Sequence, residues 1–204
     1  MKAKIDYSIY LVTDEECCKG RSLFECVEAA LKGGVTLVQY RLKNGDGSRM
    51  YAEALALKAL CDKYSVPLII NDRLDIAMAV GAAGVHLGQD DLPCSVARSI
   101  LGDEYVIGVS THNPEEAVKA VQDGADYLGC GAVFGSATKT NVSELGLKNL
   151  EAIRKAVAIP MVGIGGVNSS NYALVRKTGA EGAAIISGIL SADDIAAEVS
   201  KFKM

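Results

Sequence analysis

Gln39, Arg41 and Lys43 stand two residues apart at the end of one apolar, β-branched run. Residues two apart on a strand point to the same side, so the three would line one wall with donors and two positive charges. Such a wall suits a phosphate or pyrophosphate. It would equally serve as a solvated strand end paired to nearby helices. Asn71-Asp72 closes a second run and Asp91 follows a third. Two carboxylates beside a diphosphate are what Mg2+ uses, with phosphate oxygens and water completing its octahedron. Asp72 also fits the N-cap of a helix over 72–81, and Asp90 or Asp91 the cap of a helix starting near Pro93. These residues by themselves leave both roles open.

The segment GCGAVFGSATKTN, residues 129–141, is long, small and polar. It leaves a strand well before the next helix, as an active-site flap would, although an ordinary exposed loop has the same look. Lys139 is its one cation, and Ser136, Thr138 and Thr140 add hydroxyl donors. GIGG at 163–166 and Ile186-Ser187-Gly188 end the last two runs, where glycine lets backbone N–H groups approach a phosphate at a helix start. His86 lies inside a run and reads as a packed, satisfied side chain ahead of a catalyst. No Ser-His-Asp or Cys-His set emerges, and no lysine sits centrally in a strand. The chemistry therefore reads as electrostatic and metal-assisted, not covalent.

These residues need elements that bring them to one place. Apolar runs recur at 8–14, 35–41, 67–72, 84–88, 105–110, 126–131, 160–166 and 182–188, with helical patterns between them. Leu23, Val27, Ala30 and Leu31 share one helical face. Tyr51, Leu55, Leu57 and Leu60 suggest a second, Ala117, Val118 and Val121 a third, and Leu150, Ile153 and Val157 a fourth. Asn113-Pro114-Glu115-Glu116 marks a helix start, and Ser191 to Asp194 reads similarly. Glycine-rich turns after helices recur before the strands at a period that fits a βα unit. No GxGxxG follows the first run, as an open dinucleotide-binding sheet would show. The expectation is an α/β fold, a (β/α)8 TIM barrel in a single compact domain over residues 1–204. Its polar strand ends would converge on one face, where such barrels carry their sites.

Composition narrows the function. A net charge of −4 argues against a nucleic-acid partner, which would call for a basic stripe. No apolar run reaches the roughly 18 residues of a membrane span. The N-terminal stretch meets Asp14 too soon for a secretion signal. The six cysteines form no CxxC pair, which suggests reduced thiols in a cytoplasmic protein and no zinc site.

Several segments resemble the thiamine-phosphate synthase family nearly end to end. They are YLVTD at 10–14, VQYRLK at 38–43, IINDRLDIA at 69–77, GVHLGQDDLP at 84–93, IGVSTHN at 107–113, GADYLGCGAVFGSATKT at 124–140, PMVGIGGV at 160–167 and IISGI at 185–189. The resemblance implies a transferase in which a hydroxymethylpyrimidine diphosphate loses pyrophosphate and the nitrogen of a thiazole phosphate takes its place, by a dissociative, Mg2+-assisted step. It implies that Gln39, Arg41, Lys43 and Asn71 hold the diphosphate, within a substrate-binding stretch that includes Tyr40 and Leu42. Asp72 and Asp91 would bind Mg2+, and Ser110 and Lys139 would contact the pyrimidine diphosphate. Arg41, Lys43, Ser110 and Lys139 would carry catalysis. Ser136 and Thr138, in a loop with Ala137, would meet the thiazole phosphate together with Gly166, Ile186 and Ser187.

Two departures stand out. The family's QLREK reads Gln39-Tyr40-Arg41-Leu42-Lys43 here, and Leu42 would point away from the donor wall by alternation. Ser136 and Ala137 stand where the family usually has Thr and often Pro. The rival readings are a thiazole tautomerase and a non-catalytic barrel that binds thiamine precursors. Neither needs both the carboxylate pair and the cation wall. A homodimer is compatible with the sequence, which carries no direct sign of one.

Overall fold

The computed structural model describes residues 4–43, 45–135 and 145–203. Strands and helices alternate as β1 (Ile9–Val12), α1 (Leu23–Gly33), β2 (Leu37–Tyr40), α2 (Gly47–Lys63), β3 (Leu68–Asn71), α3 (Leu74–Val80), β4 (Gly84–Leu87), α4 (Cys94–Leu101), β5 (Val106–Thr111) and α5 (Pro114–Gln122). They continue as β6 (Tyr127–Gly131), α6 (Leu145–Ala156), β7 (Met161–Ile164), α7 (Tyr172–Lys177), β8 (Gly182–Ile185), α8 (Ser187–Leu190) and α9 (Ile195–Ser200). The strands pair in parallel in chain order and β8 returns to β1, closing the barrel. Short α8 is the extra turn that such barrels place after their last strand.

Alternation along each strand divides the apolar residues between two cores. Tyr7, Tyr10, Val12, Leu37, Ile69, Val106, Tyr127, Val162 and Ala184 fill the barrel. Their sequence neighbours, such as Leu11, Val38, Leu68 and Ile107, pack outward under the helices. The Tyr127 ring fits inside because β5 carries Gly108 opposite it; a Cβ there would lie 2.1 Å from a ring carbon.

The helix faces agree with the sequence in part. Leu23, Val27, Ala30 and Leu31 are all buried on α1. On α2 the buried face is Met50, Ala54, Leu57 and Cys61, while Tyr51 and Leu55 face solvent. Spacings of four, three and four residues hold one face at 100° per residue, and Tyr51 and Leu55 lie one step round from it. On α5 Ala117 and Ala120 are buried and Val118 is exposed for the same reason. Asn113 caps α5 by accepting from the Glu116 N–H at 2.8 Å, with Pro114 in the first turn. The cap of α9 is Asp194, which accepts from the Ala197 N–H. No helix among the described residues is long and apolar enough to cross a membrane.

Candidate active site

A cavity of about 300 Å3 opens at the carboxyl end of the barrel. Its wall follows the inward alternation: Tyr10, Val12 and Asp14 from β1 and beyond, Gln39, Arg41 and Lys43 from β2 and beyond, Asn71 from β3, and His86 from β4. Ser110, Gly129, Val162, Ile164, Ala184 and Ile186 complete it. The alternation of β2 runs past the strand because the Thr13 hydroxyl, fully buried, accepts from the Arg41 N–H at 2.9 Å. Tyr40 and Leu42 have the opposite phase. Tyr40 is buried under α2 and donates its hydroxyl to Glu53, and Leu42 packs beneath the helices. Their side chains stay out of the mouth.

Asp14 is the site residue that sequence reasoning missed. Its carboxylate, 11% exposed, lies 2.9 Å from Lys43 Nζ and 3.8 Å from Arg41 Nη1. It also accepts from the Glu16 N–H at the start of the 3-10 turn Glu15–Cys18. Both cations of the wall are therefore anchored from below. The signal was available, because Tyr10, Val12 and Asp14 alternate inward as Gln39, Arg41 and Lys43 do.

Asp72 and Asp91 meet at the rim. Asp72 follows β3 with φ of 62°, a left-handed conformation held by its N–H donating to the His86 carbonyl. Helix α3 starts after Arg73 and α4 after Pro93, neither with a side-chain cap, so neither aspartate is used as one. Asp91 accepts from the Gly88 N–H at 2.7 Å. The Asp72 carboxyl is pushed up to about 6 by lost solvation and by its hydrogen bond to, and repulsion from, Asp91. Asp72 as a whole residue is exposed, so the repulsion is the part that a cation between the two would reverse. Among the described residues no larger group of metal-binding side chains assembles. Two carboxylates suit an Mg2+ that keeps waters and substrate oxygens, and do not suit a closed protein cage.

Behind the mouth runs a buried polar chain. Gln39 Nε2 donates to Tyr10 Oη at 2.6 Å, Tyr10 Oη lies 2.7 Å from Tyr127 Oη, Tyr127 Oη 2.9 Å from His86 Nδ1, and His86 Nε2 3.0 Å from Ser110 Oγ. His86 is packed and satisfied, as expected, and also lines the cavity. Burial drops its pKa to about 4 and pushes both tyrosines upward. A Ser-His pair thus exists, which sequence did not show. Among the described residues no carboxylate holds the imidazole, as a triad would require, so the pair is not set up as an activated nucleophile.

On the far side, Gly165 and Gly166 follow β7 with φ of 99° and 66°. A Cβ on Gly166 would meet the Phe134 carbonyl at 2.8 Å, so both conformation and space call for glycine. Phe134 N–H donates to the Gly165 carbonyl, tying the β6 loop to the end of β7. A Cβ on Gly188 would lie 2.5 Å from the Val167 carbonyl, so the segment that follows Gly166 packs closely on α8. Ser136, Ala137, Thr138 and Lys139 lie outside the described residues.

A family model described as thiamine monophosphate synthase matches residues 9–189. A thiamine-phosphate synthase of Ruminiclostridium cellulolyticum is 48% identical, over 98% of this chain and 96% of its own length. Another, of Clostridium novyi, is 50% identical over 94% of each. The solved thiamine phosphate pyrophosphorylase from Pyrococcus furiosus superimposes with a TM-score of 0.89 at 38% identity, over 97% of this chain and 94% of that one. Agreement of this extent in both sequence and barrel means that the chain belongs to the thiamine-phosphate synthase family, and so is a transferase.

Proposed function

We propose that the chain couples a hydroxymethylpyrimidine diphosphate to a thiazole phosphate, giving thiamine phosphate and pyrophosphate. The observation that carries this reading is a cavity walled by Gln39, Arg41, Lys43 and Asn71, with the Asp72–Asp91 pair next along the chain from Asn71 and within electrostatic reach of Arg41, and without an activated nucleophile. Such a site stabilises a departing anion and does not attack. Gln39, Arg41, Lys43 and Asn71 would hold the diphosphate. The Asp14 ion pairs are partly open to solvent and worth roughly 0 to 1 kcal/mol, so a multiply charged diphosphate can take both cations. Asp72 and Asp91 would hold Mg2+, which when bound offsets charge on the leaving pyrophosphate. Ser110 and Lys139 would contact the diphosphate substrate. Ser136 and Thr138 would meet the thiazole phosphate with Gly166, Ile186 and Ser187. We also propose a cytoplasmic location, supported by free thiols, five of them buried in the fold.

The test is formation of thiamine phosphate from the two precursors, with and without Mg2+. Coupling that requires Mg2+ supports the reading. Metal-independent isomerisation of the thiazole phosphate with no coupling overturns it.

A further inference from the structure

The buried chain behind the mouth has a direction. The Gln39 amide nitrogen can only donate, and it faces Tyr10 Oη. Tyr10 is fully buried, and its hydroxyl has one other partner, Tyr127. Were Tyr127 to donate to Tyr10, the Tyr10 proton would have no acceptor, a costly state in a dry core. Tyr10 therefore donates to Tyr127, and Tyr127 passes its own proton to its remaining partner, His86 Nδ1. An accepting Nδ1 on a neutral imidazole leaves the ring proton on Nε2, which faces Ser110 Oγ. Glycine makes room at two points for this path. A Cβ at Gly108 would strike the Tyr127 ring, and one at Gly129 would lie 2.9 Å from His86 Cε1.

We infer that Tyr10, Tyr127 and His86 are positioning residues that hold His86 as the Nε2–H imidazole and so turn the Ser110 hydroxyl proton outward into the mouth. This rests on the reading of the mouth as the diphosphate site. With Nε2–H donating to it, Ser110 Oγ has its own proton free for an anion in the cavity. In the opposite direction Ser110 would donate inward and present a lone pair to the anion, which repels it. Tyr127 does not line the cavity, and Tyr10, though part of its wall, turns its hydroxyl to Gln39 and Tyr127. The two tyrosines act by setting the polarity of a hydrogen bond two links away.

The tautomer is directly measurable. The chain has two histidines, so protein labelled with 15N-histidine gives two ring signatures, and His112→Asn identifies that of His86. Long-range proton–nitrogen correlation at neutral pH should show a protonated Nε2 and an unprotonated Nδ1 on His86. A protonated Nδ1, or an imidazolium, overturns the inference. Tyr127→Phe removes the donor to Nδ1 and, with it, the acceptor of the Tyr10 proton. It should shift His86 toward a mixture of tautomers and lower kcat about tenfold while KM for the diphosphate changes less than about threefold. Unmoved His86 signals in a folded Tyr127→Phe protein also overturn it. If that variant does not fold, the wild-type tautomer decides by itself, and Tyr10→Phe should leave it unchanged because Tyr127 keeps Nδ1 as the acceptor of its proton. The wild-type tautomer needs no turnover, so an inactive protein with protonated Nε2 would count against the synthase reading and not against this chain.

Discussion

At the scale of single residues, the mouth is built from charges held in opposed pairs. Lys43 and Arg41 lean on Asp14, and Asp72 faces Asp91. Asp91→Ala removes half of the carboxylate pair at an exposed rim. It should lower turnover roughly 100-fold or more while the far-UV dichroism and the urea midpoint stay near wild type, and Lys139→Ala should do the same. Wild-type rates in both variants would refute the site assignment. His86 carries a pH signature. Its pKa in the fold is about 4, below the ordinary histidine value of 6.5, so neutral His86 adds stability above about pH 6.5. That stability is lost as pH falls toward 4, because the unfolded chain binds the proton first. In urea unfolding the wild type should lose on the order of 2 to 3 kcal/mol more than His86→Asn over that window; the raised Asp72 carboxyl works in the opposite sense in both proteins and drops out of the difference. An unchanged slope in the variant would assign the acid sensitivity elsewhere.

At the scale of elements, the strands were more legible than the helix faces. A strand's period of two leaves one choice of face, and each apolar run showed it. A helix face is wider, and several apolar residues in a row can imply the wrong azimuth. On α2 the residues Tyr51 and Leu55 looked like core, yet the barrel takes Met50, Ala54, Leu57 and Cys61. Paired substitutions measure this phase. Leu57→Ala should cost roughly 2 to 5 kcal/mol in urea or thermal unfolding. Leu55→Lys should change stability by less than about 0.5 kcal/mol. Equal costs at the two positions would mean that α2 presents a different face.

At the scale of the whole molecule, closure joins the two ends of the chain. Arg21, in the loop before α1, donates to the carbonyls of Cys18, Leu190 and Ala192, so one guanidinium ties β1's loop to the segment after β8. Arg21→Leu would leave those carbonyls short of a charged donor, at roughly 2 to 4 kcal/mol. Hydrogen exchange should then rise first in β1 and β8, because their pairing closes the barrel. A loss of protection spread evenly over all strands would show that Arg21 is not a closure latch.

The sequence by itself determined the eight alternating units, the wall of Gln39, Arg41 and Lys43, and the side of the barrel that carries the polar strand ends. These follow from local periods of two and 3.6 residues and from turn chemistry, which act over a few positions. It left open whether Asp72 and Asp91 cap helices or face each other. It put Asp14 in phase with the cation wall without showing it beneath both cations, and gave no hint of Tyr10 meeting Tyr127 across 117 residues of chain. Those contacts depend on register and closure, which are set by the packing of all strands together. Neighbouring strands bring Gln39 to Tyr10 and join His86, Ser110 and Tyr127, but only the closed barrel sets Tyr10 against Tyr127. The charges of the site were therefore legible along the chain, while their pairing and the direction of their hydrogen bonds belong to the tertiary structure.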